Sequence, residues 1–317
     1  MLKPDSITIF GGTGFIGRHL VRRLAKTGAA IRIVTRDAEK VLPLKPMGDV
    51  GQIVAVHGSI RSDETVATAI ASSCSVINLT GILYEKGRDN FQSVHVEAAA
   101  RIARLAKDHG AKNLIHMSAL GADAGSASAY ARSKAAGEQA VRLFFPDAVV
   151  FRPSIVFGPE DNFFNLFATL ARFSPVLPLI GGGHTKFQPV YAGDVAAAMQ
   201  RAIELPDARG KVFELGGPKT YSFRELLETM LRVTGKRRWF LPLSWKLAMF
   251  QAAFLEKLPR PLLTRDQIEL LKSDNIIRSP QAKTLKDLGL APTALEIILP
   301  TYLGRFRGAL QESRISG

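Results

Sequence analysis

A glycine cluster set between a β-branched run and a helical pattern constrains this chain more than any other feature. Residues 10–17 read Phe10-Gly11-Gly12-Thr13-Gly14-Phe15-Ile16-Gly17, directly after Ile7-Thr8-Ile9 and directly before an amphipathic stretch that runs to Thr27. Glycines at 11 and 14 permit a tight turn and a close backbone approach to a pyrophosphate. Gly17 lets the helix pack on the strand, and the helix N-terminus offers N–H groups and a positive dipole to an anion. A phosphate-hydrolysing loop is not expected, because no Gly-Lys-Ser/Thr follows. Gly11, Thr13, Gly14, Phe15, Ile16 and Gly17 are therefore the expected dinucleotide contacts, against the plain alternative of a glycine-rich turn.

The order of elements supports the same reading. Short apolar runs alternate with helical patterns at Ile7–Phe10, Gly14–Thr27, Ile31–Thr35, Ile53–Val56, Asp63–Ala71, Val76–Leu79, Phe91–His109, Asn113–Met117, Tyr130–Phe144 and Val149–Arg152. That alternation predicts an α/β fold, a doubly wound parallel Rossmann sheet whose right-handed crossovers gather the ligand loops along one edge. Beyond Arg152 the prolines at 153, 159, 175, 178 and 189 break the rhythm. A helix over Ala192–Glu204 and a strand over Val212–Leu215 then return to it. The expected organisation is a dinucleotide domain over 1–155, rejoined by 190–216, and a smaller, mainly helical lobe over 156–189 and 217–317. In that lobe Ser222 is placed to cap Phe223–Thr234, Thr264 to cap Arg265–Lys272, and Pro292 to open the last helix.

Two positions speak to chemistry. The second strand ends Val34-Thr35-Arg36-Asp37, where an acid would bind the adenosine 2′-hydroxyl and an arginine would accommodate a 2′-phosphate. Thr35 followed by Arg36 favours NADP(H), with NAD(H) still possible; Asp37 then points outward or caps the next turn, and the alternative for Arg36 is a solvated loop residue. Tyr130 and Lys134, four apart at the start of a helix, share one face, and an ammonium beside a phenol lowers its pKa toward that of a working acid or base. Ser118, at the end of the fifth strand, has a hydroxyl suited to polarising a carbonyl.

Together with Phe151-Arg152-Pro153-Ser154-Ile155-Val156-Phe157-Gly158-Pro159, these motifs resemble the extended short-chain dehydrogenase/reductases, and the match covers most of the chain. The resemblance implies an acid/base role for Tyr130, a tuning and ribose-binding role for Lys134, and a substrate-orienting role for Ser118. It further implies that Leu79, Thr80 and Gly81 run along the cofactor ribose, that His57-Gly58-Ser59-Ile60 lies near adenine, and that Pro153 borders the cofactor site. Ser59 stands where relatives commonly carry aspartate, and the turn after Ser118 lacks the serine-rich segment of sugar-nucleotide epimerases. A narrower resemblance joins Phe187–Ala196, Phe213–Pro218, Leu263–Ile276 and Leu295–Leu303 to the nucleotide-binding accessory subunits of respiratory complex I and their bacterial homologues. That resemblance implies a structural NADPH and docking at the membrane surface.

Composition narrows the partners. The chain of 317 residues is 46% hydrophobic and carries a net charge of +14, spread over both halves, which favours acidic partners. Its basic residues form no compact cluster larger than Lys236-Arg237-Arg238 and no nucleic-acid-reading motif, so nucleic acid is not expected. That tripeptide precedes Trp239-Phe240-Leu241-Pro242-Leu243-Ser244-Trp245, a pairing of cations and aromatics suited to a membrane interface or partner subunit, or to a capped helix with a solvated basic turn. Trp239–Leu255 is too short for a membrane span and reads as a buried or surface-lying helix. The six histidines lack metal spacing, so none is a ligand and His95 and His116 are packing or hydrogen-bonding residues; the single Cys74 reads as a buried small hydrophobe. With no signal peptide visible, the chain is expected in the cytoplasm, or peripheral on an inner membrane, on the matrix side if mitochondrial. Two functions follow as expectations. One is an NADP(H)-holding accessory subunit of complex I; the other is a soluble NAD(P)-dependent reductase or epimerase using Ser118, Tyr130 and Lys134.

Overall fold

The computed structural model describes residues 6–259 and 261–307. The chain forms two compact units. The first takes the described residues up to Pro153, then Ala192–Leu215 and Ser279–Ala291; the second takes Ser154–Tyr191, Gly216–Arg278 and the described residues from Pro292 onward.

The first unit begins with β1 (Ser6–Phe10), α1 (Phe15–Ala25), β2 (Ala30–Thr35), β3 (Ile53–His57), α2 (Asp63–Ile70) and β4 (Ser75–Asn78). It continues with α3 (Ala98–Asp108), β5 (Asn113–Met117), α4 (Ala129–Phe144) and β6 (Val149–Pro153). The second unit contributes β7 (Val156–Phe157), α5 (Phe163–Phe173), β8 (Val176–Ile180), β9 (Lys186–Phe187) and β10 (Val190–Tyr191). The chain returns through α6 (Ala192–Glu204) and β11 (Val212–Leu215), then leaves again as β12 (Tyr221–Ser222), α7 (Phe223–Thr234), β13 (Trp239–Leu243), α8 (Trp245–Leu255), α9 (Arg265–Leu271) and, after Ser279–Ala291, α10 (Leu295–Leu303).

The sheet of the first unit runs β11-β6-β5-β4-β1-β2-β3, with every pairing parallel. This is the doubly wound Rossmann fold expected from the alternation. The strand order reverses between β1 and β4, where Phe10 pairs with Asn78, so the ligand crevice opens beyond those two residues. The central strands are apolar on both faces, as in a sheet covered by helices on each side: Ile7, Ile9, Phe10, Ile31, Ile33, Val76 and Ile77 are all buried. On one face Ala99, Ile102, Ala103 and Ala106 of α3 pack with Val66 and Ile70 of α2.

The segment Phe91–His109 is not one regular helix. Gln92–Glu97 forms a π-helical turn before α3 takes over. Such turns carry an inserted residue and occur often at functional sites. Helix α4 accommodates it closely: a Cβ at Gly137 would lie 2.2 Å from the carbonyl oxygen of His95, so glycine alone permits this approach.

In the second unit Ser222 and Thr264 cap α7 and α9, each with a reciprocal bond from Glu225 or Gln267. Three expectations change. α10 opens at Leu295 with Ala294 as its N-cap, beyond Pro292, and Trp239–Leu255 splits into β13 and α8 because Trp239–Leu243 pairs in parallel with Val176–Ile180. Cys74 is half-buried rather than buried.

The motifs that set the narrower resemblance apart act as staples within this unit. The Asn275 side chain accepts from Ile155 N–H (3.1 Å) and from Ser154 Oγ (2.7 Å), while Asp274 accepts from Lys186 N–H (2.8 Å). Gln188 bonds the carbonyl of Gly217 and the N–H of Ile277, and a Cβ at Gly217 would lie 2.0 Å from the carbonyl oxygen of Pro189.

Candidate functional site

The glycine loop is shaped by exclusion. Gly11 has φ +80°, and a Cβ there would meet the backbone of Leu79 at 3.0 Å. A Cβ at Gly17 would lie 2.5 Å from the carbonyl oxygens of Gly11 and Gly12. Gly17 therefore seats α1 against the loop's own carbonyls, a tighter constraint than packing on the strand. Gly14 is the N-cap of α1 and has no side chain to cap it, no acid stands in the first turn, and Gly14 is exposed while Thr13, Phe15 and Ile16 are half-buried. An uncapped, acid-free helix start is the arrangement that accepts a phosphate.

Across the crevice, Leu79 N–H bonds the carbonyl of Phe10 (2.9 Å), and Thr80 bonds the Asn78 side chain through N–H (3.0 Å) and hydroxyl (2.5 Å). A Cβ at Gly81 would stand 3.7 Å from His95 Nε2 and 3.9 Å from Lys134 Nζ. The structure thus brings Gly81 over Lys134, with Leu79 and Thr80 held to the ends of β1 and β4.

At the other end of the crevice, Thr35 closes a turn onto Asp37. Asp37 caps the following 3-10 helix, its carboxylate accepting from Glu39 N–H (3.1 Å). Arg36 remains 70% exposed, with Asp89 at 3.6 Å. Gly58 N–H bonds the carbonyl of Thr35, which sets Ser59 beside that turn; Ile60 packs partly into the α2–α3 core. Arg61 also reaches Asp89, at 2.6 Å; this residue carried no signal in the sequence.

Tyr130 lies in the first turn of α4, whose N-cap Ser128 accepts from Ala131 N–H (3.2 Å). Its ring meets Phe91 and His95 edge-on at 5.9 and 5.5 Å. His95 Nε2 accepts from Ile82 N–H (3.0 Å), so its Nδ1 carries the proton and donates to Ser133 Oγ (2.8 Å), which donates to the carbonyl of Tyr130 (2.7 Å). Burial, and secondarily the charge of Lys134, pushes the His95 pKa down to about 3, so the imidazole is neutral. Lys134 is buried and donates to the carbonyl of Met117 (2.7 Å); burial pulls its pKa to about 8 against the opposing pull of Glu138. His116, buried beside Asn78 (3.3 Å), is also held neutral by burial.

Ser118 ends up differently disposed. Its hydroxyl is buried and donates to the carboxylate of Glu138, which also accepts from Arg152 Nε (2.8 Å) and a terminal guanidinium nitrogen (2.7 Å). Glu138 lies two turns beyond Tyr130 on the same helix face, so the spacing was available in the sequence, but a carboxylate there reads as an ordinary helix surface. Pro153 ends β6 and accepts from Leu120 N–H (2.8 Å), extending the pairing of the Ser118 segment with β6.

Strand order, glycine loop and crevice define a protein of the Rossmann class that binds NAD(P). The chain belongs to the NAD-dependent epimerase/dehydratase family, whose profile matches residues 7–216. It is 37% identical to the mitochondrial NADH dehydrogenase [ubiquinone] 1 alpha subcomplex subunit 9 of Arabidopsis thaliana, over 95% of this chain and 77% of that protein. Identity to the Mus musculus subunit of the same name is 36%, over 95% of this chain and 80% of that protein. Among solved structures, the Citrobacter sp. triphenylmethane reductase complexed with NADP(H) superposes with a TM-score of 0.74 at 19% identity, covering 93% of this chain and 99% of that one, a likeness of fold.

Proposed function

We propose that this protein holds NADP(H) as a resident group and serves as an accessory subunit of a respiratory NADH:ubiquinone oxidoreductase. The observation that carries the reading is the disposition of Ser118: a cradle fit for a dinucleotide adjoins a serine whose hydroxyl faces inward, bound to Glu138. The chain-long likeness to complex I subunits supplies the assembly.

The residues fit a dinucleotide, because Gly17 leaves the start of α1 open and Gly81 leaves room beside Lys134. In this reading Gly11–Gly17 hold the pyrophosphate. Arg36 faces a 2′-phosphate, since Asp37 is engaged in capping and turned from the ribose, which favours NADP(H) over NAD(H). Leu79–Gly81, Lys134 and Tyr130 line the nicotinamide ribose, with Ser59 and Ile60 toward adenine and Pro153 at the border. The bound nicotinamide supplies a hydride centre. Lys134 keeps its proton at neutral pH and Tyr130 is held by the Phe91–His95 pair, while Ser118 offers no hydroxyl hydrogen to a carbonyl.

The second unit supplies a membrane-side face. In α8 the small Ala248 and Ala252 are buried, while Leu247, Phe250 and Phe254 are exposed, followed by exposed Leu258. Trp239, 80% exposed, stands beside exposed Arg237. A helix with its small residues inward and its large apolar residues outward, flanked by Lys246 and Lys257, suits the interface of an anionic bilayer. No helix among the described residues is long and apolar enough to cross a membrane.

Native mass spectrometry of the purified protein tests the reading. Expected is a retained NADPH that survives dilution and keeps its redox state when carbonyl compounds are offered. The second reading, a turnover reductase, is favoured by the shared face of Tyr130 and Lys134. It predicts loss of nucleotide on dilution and turnover abolished by Tyr130→Phe.

A further inference from the structure

Three loops meet at the adenosine end of the crevice, and their meeting is not required by the fold. Arg36 follows β2, and Arg61 follows the neighbouring β3. Asp89 comes from the segment after β4, which lies on the far side of β1 in the strand order β4-β1-β2-β3. To reach both arginines the chain must pass across the end of β1, over the edge where the glycine loop opens. With strands about 4.8 Å apart this is a crossing of roughly 10–15 Å. The crossing ends in a tight turn, closed by paired bonds between Lys86 and Asp89 (2.8 and 3.0 Å), with Gly87 at φ +58°. Glu85 fastens its far side by accepting from Phe91 N–H (2.8 Å).

At the tip, one carboxylate serves two guanidiniums. Arg61 contacts one oxygen of Asp89 at 2.6 Å and also donates to the carbonyl of Arg88; Arg36 stands 3.6 Å from the other oxygen. One carboxylate leaves the pair with an uncompensated positive charge, whereas a phosphate monoester brings about two negative charges and more acceptor oxygens. Arg36 is exposed and the Arg61–Asp89 pair is only partly buried, so both contacts stay close to the solvated range in which ion pairs are weak and readily exchanged.

Resting on the NADP(H) reading above, we propose that Asp89 is a built-in stand-in for the 2′-phosphate: it holds Arg36 and Arg61 together in the nucleotide-free chain and is exchanged for the phosphate when NADP(H) binds. Arg61 thereby becomes a second phosphate-binding arginine, and the 81–90 segment becomes a strap whose tip is freed only by the phosphorylated dinucleotide. Asp89 competes with the phosphate and not with the adenosine, so it sets the difference between the two cofactors.

The test is calorimetric titration of the nucleotide-free full chain with NADPH, NADH and 2′,5′-ADP, which carries the phosphorylated end alone. Expected for Asp89→Asn is a gain of about two- to fivefold in affinity for NADPH and 2′,5′-ADP, the range of a largely solvated ion pair, with NADH unchanged. Asp89→Ala should give the same sign, which separates loss of the carboxylate from any local rearrangement. Arg61→Ala should lower NADPH affinity by about tenfold or more, the size of a lost charge-assisted bond, and leave NADH unchanged. Unchanged or weaker NADPH binding in both Asp89 variants overturns the exchange, as does an Arg61→Ala effect equal for NADPH and NADH. If wild-type protein binds NADH as tightly as NADPH, the cofactor reading itself has failed, a different result from these.

Discussion

The Ser118 hydroxyl donates to the Glu138 carboxylate, 20 residues further along the chain, and both side chains are buried. This bond engages the serine's hydroxyl hydrogen. A hydroxyl has a single hydrogen to give, and giving it to a carboxylate that also holds Arg152 ties the end of β5 to α4 and β6. The serine that the resemblance assigns to substrate is thus, in the folded chain, also a tie between the end of β5, α4 and β6.

The first prediction separates scaffold from chemistry. Glu138→Gln removes the charge facing Arg152, whose side chain is partly exposed, so the loss should be about 2–3 kcal/mol, below the ~3–5 kcal/mol of a fully buried pair. Ser118→Ala should cost about 1.5–2 kcal/mol, the low end for a bond to a charged group whose carboxylate keeps Arg152, and leave nucleotide retention intact. Urea denaturation with bound nucleotide measured in parallel checks both; a large loss of nucleotide in Ser118→Ala with unchanged stability would place the serine back in the site.

Gly137→Ala forces a methyl group to 2.2 Å from the His95 carbonyl oxygen, and neither α4 nor the π-helical turn can yield without moving His95 away from Tyr130. Overpacking of this kind costs about 1–3 kcal/mol. The expected outcome is a lowered Tm together with weaker dinucleotide binding. A variant with wild-type Tm and affinity would show that the two helices have slack.

What the sequence revealed and what it hid divide along a physical line. The glycine loop, the strands from Ile7 to Pro153 and the caps at Ser222 and Thr264 rest on local periodicity and turn chemistry, which neighbouring residues express directly. The π-helical turn at Gln92–Glu97 was hidden because the residue that accommodates it, Gly137, lies on another helix. The strand at Trp239–Leu243 was hidden because its partner, Val176–Ile180, lies far back in the chain, and an apolar run of that length fits helix or strand equally. Glu138, Arg61 and Asp89 have unremarkable neighbours; only the meeting of separate loops and helices gives them partners.

Acid should loosen the protein before it disturbs surface carboxylates. His95 is held near a pKa of about 3 by burial and then by Lys134, and His116 well below its usual value for the same reasons. Unfolded histidine titrates near ~6.5. From about pH 6.5 down toward 3 the unfolded chain therefore binds protons that the folded chain refuses, and stability falls as pH falls. Above that window both forms are neutral and the contribution is complete. Lys134, at about 8 against 10.5, gives an alkaline limb of the same sign: stability rises again as pH climbs from about 8 toward 10.5. Urea midpoints between pH 4 and 10 should show both limbs. The acid limb should be shallower in His95→Gln and the alkaline limb absent in Lys134→Met; unaltered limbs would refute the assignment.

Within the second unit, Tyr302 donates to Asp161 at 2.5 Å, and the same carboxylate accepts N–H groups from Gly158, Phe164 and Asn165. Asp161 thereby joins α10 to the start of α5 through a buried acid. Tyr302→Phe deletes one bond to a group that stays buried, so a loss of about 1–3 kcal/mol is expected, read as a lower urea midpoint. A neutral effect would mean that the three N–H groups already satisfy the carboxylate.

The outward face of α8 gives the last prediction. A soluble surface helix normally turns its large apolar residues inward, yet here Ala248 and Ala252 are buried while Phe250 and Phe254, in edge contact at 5.0 Å, face out. Packing within the unit does not demand this. Trp245, at the helix start, is already used: a Cβ at Gly181 would lie 2.1 Å from its ring, so the indole sits directly on that glycine. Of the neighbouring basic tripeptide, Arg238 is tied to the carbonyl of Ala171 (2.8 Å), which leaves Arg237 as its exposed member. Phe250→Ser with Phe254→Ser should abolish pelleting with vesicles of phosphatidylserine and phosphatidylcholine. Arg237→Glu with Lys246→Glu should weaken pelleting on those vesicles and make no difference on phosphatidylcholine alone, because only the anionic surface attracts the charges. Since the phenylalanines are exposed, Tm should change little. Wild-type pelleting by the serine variant, or wild-type protein that ignores both vesicles, would move this face from a bilayer to a protein partner.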